Sequence, residues 1–510
     1  MSSGLSRITS NRAGRVSKKP TNKWLALITI SLGTFMATLN SSIVNIANPI
    51  LAADFGISMA QVQWVTTIYL IVTSSLMLLF GRVGDRVGSH TIYIVGIVIF
   101  TAGSLACTLS DHFATLTLAR AIQGLGAAMT IAVGMGLVTT IFPLAQRGRA
   151  MGVTALMVGL GNVAGPAVGG LILAHFSWHF VFLLSVPFGL VSFILSAVFL
   201  RSPLPRNREG SLDVRGSILF TALIACLIVF LSGGFAGQEW FGLGFVALLA
   251  LFIYTERREK NPLLEPELLR NKRFILGNII AFFSYCAHMM VMFQLPFFLD
   301  TVWAVPVGMV GLLIMVNALA LGVCGPLSGF ASDRIGAFRV MVPALVGMVA
   351  YILAALFLGA DQQVWLFVGM LVLAGAGMGF LNTPNNSDIM TAAGRAHASY
   401  ASGFVGTNRN LAFCLGTALS ASIFSLGGTV ARMFPDLPGA ASGIVELDYL
   451  FNFRLVLLVC LLFVLISLGV CLFLMHSARQ GKPDEPERTE AEHTTEQKPH
   501  EGSYHADKRM

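Results

Sequence analysis

The stretch Gly81-Arg82-Val83-Gly84-Asp85-Arg86-Val87-Gly88 decides the fold, because it returns 248 positions later as Gly329-Phe330-Ala331-Ser332-Asp333-Arg334-Ile335-Gly336. Each copy lies between two long apolar runs in a chain that carries few charges. A repeated charged segment between apolar helices indicates two equivalent halves of a membrane protein, the build of carriers whose halves rock about a central site. We interpret both copies as hinge loops.

The composition excludes an ordinary soluble globule. Apolar residues make up 55% of the 510 positions, charged residues only 11%, and the mean hydropathy is +0.76. About a quarter of the residues of a soluble domain are charged. Runs of roughly 20 apolar residues recur, and in lipid they must be helical because the bilayer offers no partners to backbone groups. The sequence therefore predicts an all-α, polytopic membrane protein.

About fourteen spans are predicted. They lie near 25–48, 61–80, 91–109, 113–141, 150–174, 178–200, 216–233, 238–255, 273–299, 308–330, 338–358, 364–387, 400–428 and 453–475. An even number places both termini on one side. Lys and Arg are concentrated in one alternate set of loops, whereas Arg432 and Arg454 are the only ones on the other side. The positive-inside rule makes the first side, and both termini, cytoplasmic in a bacterial-type plasma membrane.

The spans divide into six, two and six. The predicted domains are a basic cytoplasmic arm at 1–23, an N-terminal six-helix bundle at 24–200, an inserted helix pair with cytoplasmic loops at 201–272, a C-terminal six-helix bundle at 273–475, and a disordered cytoplasmic tail at 476–510. The two bundles are expected to be pseudo-symmetric. The arm is expected to touch anionic lipid headgroups, and the tail holds too few apolar residues to fold.

The hinge loops supply the candidate gating residues. Gly81 and Gly88 allow a tight turn where two spans approach closely. Asp85 is placed to pair with Arg82 or Arg86, or to accept from a helix N-terminus of the other half, in one access state only. The second copy offers Asp333 and Arg334 for the same role. The alternative is that these charges are simply solvated.

Arg120 lies about seven residues into the fourth predicted span, roughly 10 Å deep at 1.5 Å per residue. An intramembrane arginine usually faces a cavity or a partner, and Gln123 lies on the same helical face. The alternative is an arginine that reaches the headgroups.

Polar residues in the first span follow one helical face, as Thr34, Thr38, Ser41, Asn45 and Asn48. Such a polar stripe predicts a hydrated pathway, with interhelical hydrogen bonding as the alternative. Asn40 lies off this stripe at roughly the depth of Arg120. Candidates for the substrate cavity in the second half are Tyr285, His288, Asn317, Asn382 and Arg409. Arg409 is the most informative of these, because it lies about 15 Å from the start of its span.

A glycine motif marks the fifth span. Gly161, Gly165 and Gly169 recur at four-residue spacing, Gly170 follows, and Pro166 interrupts the helix. This spacing predicts a flat face for close helix packing, and a role in coupling stays open.

These residues together resemble a known family, the Major Facilitator Superfamily, and within it the fourteen-span branch of drug:proton antiporters. The resemblance covers roughly residues 24–475. Its hinge motif matches 81–88, its span-four motif matches the segment around Arg120, its antiporter motif matches Gly161 to Gly170, and its span-one motif matches Leu39 to Pro49. The resemblance implies an exporter of hydrophobic or amphipathic compounds, including drugs, that works by alternating access and exchanges its substrate for protons.

One departure bears on the mechanism. The branch usually has a carboxylate in the first span where this chain has Asn40, and no Asp or Glu falls deep inside a predicted span. We therefore hypothesise that Asn40 hydrogen-bonds Arg120 without neutralising it, so that the cavity prefers anionic or neutral amphipathic compounds. Proton coupling would then use His288, Asp300 or Asp388.

Two other functions stay open: an exporter of one organic anion, lipid or metabolite that is not coupled through a span-one carboxylate, and a transporter-like sensor. An enzyme is not expected, because no catalytic grouping, metal-ligand spacing or nucleotide-binding loop is present. No cofactor, metal or nucleic acid is expected. The expected partners are a small-molecule substrate, membrane lipids and protons, and a monomer suffices.

Overall fold

A computed structural model of the chain describes residues 23–142, 144–200, 214–232, 237–259, 266–359, 361, 363–394, 398–433 and 445–480. Within these ranges the secondary structure consists of helices, with no strand. The predicted all-α class is therefore confirmed. The first 22 residues of the basic arm and residues 481–510 of the tail lie outside the described ranges. Residues 476–480, predicted as tail, instead form the last turn of the final helix.

The first half contains α1 (Lys23–Phe55), α2 (Met59–Val87), α3 (Ser89–Thr108), α4 (Phe113–Ile141), α5 (Leu144–His175), α6 (His179–Leu183) and α7 (Ser185–Phe199). A pair follows, α8 (Val214–Ser232) and α9 (Gln238–Arg258), and then the short α10 (Pro266–Arg270). The second half contains α11 (Lys272–Thr301), α12 (Val307–Ile335), α13 (Ala337–Leu356), α14 (Val364–Ala393), α15 (Ala398–Met433) and α16 (Val445–Gln480).

Twelve stretches in the described part of the chain have the length and apolar composition of a membrane span. Each lies at a predicted position, and α6 and α7 together supply one of them, His179–Phe199. The remaining two predicted spans coincide with α2, which is 29 residues long but rich in polar residues, and with α8, whose apolar part is Ile218–Leu231. The chain is thus a polytopic membrane protein, and the number fourteen stays a prediction.

The two halves repeat each other in helix boundaries. The offset between Gly81 and Gly329, 248 positions, carries the bounds of α2 onto those of α12 and the bounds of α3 onto those of α13 without a difference. In both copies a single glycine links the two helices. The Gly88 N–H donates to Gly84 O at 2.9 Å, and the Gly336 N–H donates to Ser332 O at 2.9 Å. The repeat in sequence is therefore also a repeat in structure.

The octapeptide itself is not the loop that the sequence predicts. Residues 81–87 form the last turns of α2, and residues 329–335 form the last turns of α12. The chain turns only at Gly88 (φ +112°) and at Gly336 (φ +90°), where a side chain would be strained. A glycine-rich, charged segment usually marks a loop, but one positive-φ residue is enough here to end each helix.

Matching helices make matching contacts. In the first half α4 packs on α2 and α3, while α1 packs on α5 and α7. In the second half α14 packs on α12 and α13, while α11 packs on α15 and α16. The division into two six-helix bundles at the predicted boundaries stays a prediction, and this packing supports it.

Two seams join the halves. In the first seam α5 packs on α12, and in the second α2 packs on α15. Because α12 corresponds to α2 and α15 corresponds to α5, each seam joins the second helix of one half to the fifth helix of the other. α8 packs on α9 and lies against α2 and α15, beside the second seam. α11 also contacts α1 and is buried without interruption from Ser284 to Leu299, which makes it the central helix of the core.

Candidate functional site

We call the side of the molecule that carries Gly88 and Gly336 the hinge side, and the opposite side the far side. Helices α1, α5, α11 and α15 run from the hinge side to the far side, and α2, α4, α12 and α14 run back. A residue's position along its helix therefore gives its depth.

Arg120 is fully enclosed by the first half, with 0% of its surface exposed. Its Nε donates to Val65 O of α2 at 2.8 Å, and its Nη1 donates to Gln123 Oε1 at 2.5 Å. The guanidinium also lies over the Tyr69 ring, 4.3 Å from the centroid. Among the described residues no carboxylate pairs with it, and its Nη2 has no hydrogen-bond partner. The interpretation of a headgroup-facing arginine is thereby excluded.

Gln123 connects three helices around this arginine. Its Nε2 donates to Asn40 Oδ1 on α1 at 3.2 Å and to Ser104 Oγ on α3 at 2.7 Å, while its Oε1 accepts from Arg120. The hypothesis of a direct hydrogen bond between Asn40 and Arg120 is therefore wrong. Gln123 lies between the two side chains, because it is the group that reaches both α1 and the guanidinium. Asn40 and Gln123 are as enclosed as Arg120, and in this conformation all three stabilise the bundle. Their role in substrate binding stays a prediction.

The polar stripe of α1 divides into two parts. Toward the hinge side Thr34 and Thr38 donate to carbonyls of their own helix at 3.0 Å, and Thr38 faces α5. Toward the far side Asn45 Oδ1 and both polar atoms of Asn48 are buried without a partner. The hinge-side part of the stripe is thus a helix contact, which was the alternative interpretation. Only the far-side part keeps unsatisfied polar groups.

A second polar group lies at mid-depth in the other half, on α11, α14 and α15. The Tyr285 hydroxyl donates to Asn382 Oδ1 at 2.5 Å, and Asn386 Nδ2 donates to the same oxygen at 2.7 Å. Arg409 is half-buried and lies one turn before Phe413 on α15, and the Phe413 ring packs against the Tyr285 ring with the centroids 5.5 Å apart. The structure thus brings three of the five predicted residues of this half together, and adds Asn386.

Two predicted residues of this half lie elsewhere. The Asn317 Nδ2 donates to Leu371 O at 3.3 Å, so this amide joins α12 to α14 as a packing contact. His288 is 8% exposed on α11, one turn from Tyr285, and its Nδ1 is buried without a partner. A cavity of about 380 Å³ between α12, α13 and α14 is lined by none of the predicted site residues.

The hinge residues are only partly described. The side chains of Asp85 and Arg86 lie outside the described part of the structure, so the predicted pairing stays a prediction. In the second copy Asp333 and Arg334 are exposed at the end of α12. Gly81 has open space around it, whereas an added Cβ at Gly84 would collide with Val133 of α4.

The glycine motif of α5 has two faces. Added Cβ atoms at Gly161, Gly165 and Gly169 would meet α1, for example at 2.9 Å from Ser42 Cβ for Gly165. An added Cβ at Gly170 would lie 3.0 Å from Gly311 Cα of α12, and one at Gly311 would lie 2.9 Å from Gly170 Cα. Pro166 lies inside α5, and its carbonyl borders the same contact. The motif therefore packs α5 within its own half and closes the first seam on the far side.

Sequence inspection missed a buried amide, Gln63, and the partner of a carboxylate that it had named, Asp388. Gln63 on α2 is fully buried with neither amide atom satisfied. Asp388 on α14 is bound by Arg273 of α11, whose Nε donates to its two carboxylate oxygens at 3.1 and 3.0 Å. A helical wheel of α2 would have shown Gln63 on the face of Thr66 and Thr67. No local signal links Arg273 to Asp388, because the two are 115 positions apart.

Two repeated bundles that meet along two seams, with polar and cationic side chains held at mid-depth, define the class of two-bundle membrane transporters. The sequence model of the Major Facilitator Superfamily matches residues 30–417 and 277–500. The chain belongs to this superfamily, as the motif resemblance predicted.

Relatives and a solved structure agree with this assignment. The chain is 36% identical over 412 residues to the riboflavin transporter RibZ of Clostridioides difficile, which covers 81% of this chain and 90% of the relative. It is 30% identical over 415 residues to the multidrug resistance protein Stp of Mycobacterium tuberculosis, which covers 79% and 76%. A bacterial homologue of the human lysosomal transporter Spinster has the same fold, with a TM-score of 0.64 at 15% identity, over 91% of this chain and 100% of that one. The family consists of transporters, not enzymes.

Proposed function

We propose that the protein is a secondary active transporter that exports hydrophobic or amphipathic small molecules by alternating access, in exchange for protons. The observation that carries the proposal is the repeat of α2–α3 as α12–α13 with identical bounds, together with two seams that join equivalent helix positions. Two matched bundles in contact along two seams can rock about them, which opens a central site to either side in turn.

The relatives support efflux of drug-like compounds. They include a multidrug resistance protein and a tetracenomycin C resistance and export protein from Streptomyces glaucescens. The riboflavin transporter among them favours the alternative, a carrier of one metabolite or organic anion. A sensor that binds without transport is the second alternative.

The hinge side is proposed to be cytoplasmic. Basic residues lie at the described helix ends on that side, as Lys23, Arg215, Arg257, Arg258, Arg270 and Lys272. Both termini would then be cytoplasmic, and the far side would face outward from a plasma membrane. Membrane lipids would contact the exposed apolar faces of α9 and α16, and the protein would work as a monomer.

Flux into proteoliposomes tests the proposal. We expect an imposed proton gradient to drive labelled amphipathic dyes across the membrane, and its collapse by a protonophore to stop them. Flux that ignores the gradient would favour the uncoupled metabolite carrier. Saturable binding with no flux of any dye would favour the sensor and overturn the proposal. Liposomes that hold the purified Gly311→Val variant, whose added side chain is expected to keep the far-side seam from closing, should show severalfold lower flux.

A further inference from the structure

Arg120 and Arg409, two arginines inside membrane-spanning helices, differ in how many of their N–H groups are already hydrogen-bonded. Arg120 is enclosed, and its guanidinium is held by Val65, Gln123 and the Tyr69 ring. Arg409 is half-buried, and among the described residues no side chain or carbonyl accepts a hydrogen bond from it. An arginine inside a membrane protein usually pairs with another group or lines a pathway. Arg409 therefore has its five N–H donors available for a ligand.

The groups around Arg409 are neutral. Tyr285 and Asn386 both donate to Asn382 Oδ1, which occupies that oxygen. Asn386 Oδ1 is buried without a partner. The nearest acidic residue on α14, Asp388, is already bound by Arg273 at the hinge-side end of the helix. Among the described residues, nothing compensates the charge of Arg409.

The depth suits a substrate. Tyr285 is near the middle of α11, and Arg409 is eleven residues into α15, roughly 17 Å from its hinge-side end at 1.5 Å per residue. Phe413, one turn further along α15, packs edge-on against Tyr285 with the centroids 5.5 Å apart. The cluster thus places one cation, one unsatisfied acceptor and two aromatic rings at mid-depth.

We propose that Arg409, Tyr285 and Asn386 form the binding site for the anionic group of an amphipathic aromatic substrate. The guanidinium would bind a carboxylate or sulfonate in bidentate fashion, the rings would contact the aromatic body, and Asn386 Oδ1 would accept from a substrate N–H or O–H. An uncompensated cation at this depth also disfavours cationic substrates. This inference rests on the proposed function, because it names the substrate class of the same transporter.

A matched ligand pair tests the inference on the unmodified protein. Dansylglycine and its methyl ester share one ring system, and only the acid is an anion at neutral pH. We expect the purified protein to bind the acid at least tenfold more tightly than the ester, measured by fluorescence anisotropy, and to bind the cation rhodamine 6G more weakly still. Equal affinities, or preference for the cation, would overturn the inference.

The variant Arg409→Gln assigns the preference to its residue. We expect it to weaken binding of the acid about tenfold, to leave the ester unchanged, and to improve binding of rhodamine 6G. Arg409→Lys should retain part of the preference, because a lysine keeps the charge but not the bidentate geometry. The control is Arg454→Gln, which removes an exposed arginine from α16 and should leave all three affinities unchanged.

The failures of the two proposals are distinguishable. If the acid binds preferentially through Arg409 but no dye crosses the membrane, the transport proposal fails and the binding site stands. If dyes are transported and the Arg409→Gln variant loses acid, ester and rhodamine 6G equally, or none of them, the site fails and the transport proposal stands. Thermal unfolding of each variant shows whether a loss of binding comes from misfolding. In that case the comparison of acid and ester on the unmodified protein decides whether the inferred site stands.

Discussion

At the scale of single residues, the enclosed Arg120 is the most demanding group in the first half. A buried guanidinium without a carboxylate depends on hydrogen bonds and on the face of an aromatic ring. Gln123 supplies the link, since it joins Arg120 to α1 and α3 at once. This amide is therefore expected to contribute more to stability than a single packing residue.

Replacement of Gln123 by Leu tests this expectation. The variant keeps a similar volume but removes the acceptor for Arg120 and the donor for Asn40 and Ser104. Leaving buried polar groups without their hydrogen-bond partner costs about 1–3 kcal/mol, so the midpoint of thermal unfolding in detergent should fall. Leu118→Ala, on the exposed face of the same helix, is the control and should change the midpoint little. Equal shifts in both variants would contradict a central role for Gln123.

Residue patterns predicted the neighbourhood of these groups but not their pairing. Helical spacing placed Gln123 beside Arg120 because both lie on one face of one helix. The partner on α1 depends on how α1 and α4 cross, which a single sequence does not encode locally. The assumed bond between Asn40 and Arg120 failed for that reason. The same limit applies in the second half. From sequence alone Asn317, Tyr285 and Asn382 are all polar residues inside apolar spans, and only the structure shows that Asn317 is a packing contact whereas Tyr285 and Asn382 bind each other.

At the scale of helices, glycines decide where the elements end and how closely they approach. The hinge octapeptide was predicted as a loop because of its glycines and charges, yet its first seven residues are helical in both copies. What the sequence did predict was the repeat itself, since Gly88 and Gly336 occupy equivalent positions with positive φ. The α5 motif was also predicted as a close packing face. The second face of the motif, which packs against α12, could not be predicted, because it depends on how the two halves meet.

Gly311→Val is expected to open the first seam on the far side. A Cβ at this position would lie 2.9 Å from Gly170 Cα, and backbone atoms of α5 cannot move aside as a flexible side chain would. Transport should fall severalfold while the helical circular dichroism signal is retained. Gly322→Val on the same helix has open space around the added Cβ and should retain transport. Loss of transport in both variants would point to the valine itself and not to the seam.

At the scale of the whole molecule, the described structure keeps unsatisfied amides on the far side of α1 and α2. Asn45, Asn48 and Gln63 hold buried polar atoms without partners, and Thr66 and Thr67 add two more. Unpaired buried polar groups are costly, so a cluster of them is explained if another conformation hydrates it. The six-two-six organisation is a prediction that rests on span lengths and the repeat. The two seams depend on packing between the halves, which no sequence pattern indicated, whereas the polar stripe of α1 already pointed to Asn45 and Asn48.

Labelling of Gln63→Cys tests whether the cluster becomes hydrated. In a background without the native cysteines, a membrane-impermeant maleimide should react slowly with Gln63→Cys, and at least tenfold faster when Gly311→Val is added to open the far side. Leu109→Cys, at a position 71% exposed on the far side, should react quickly in both backgrounds. A rate at position 63 that does not respond to Gly311→Val would exclude the alternating hydration of this cluster.

The position of Arg120 along the chain also bears on biogenesis. Val65, Asn40 and Ser104, the groups that satisfy Arg120 and its neighbour Gln123, all precede α4 in the order of synthesis. An arginine at the centre of a helix opposes membrane insertion by about 2.5–3.5 kcal/mol on the translocon scale, and Arg120, the eighth residue of α4, opposes it by less. When α4 leaves the ribosome, every helix that receives its guanidinium has already been made. Helix α4 can therefore enter the bilayer next to α1, α2 and α3, whose polar groups are already available, so that the charge of Arg120 is not exposed to lipid.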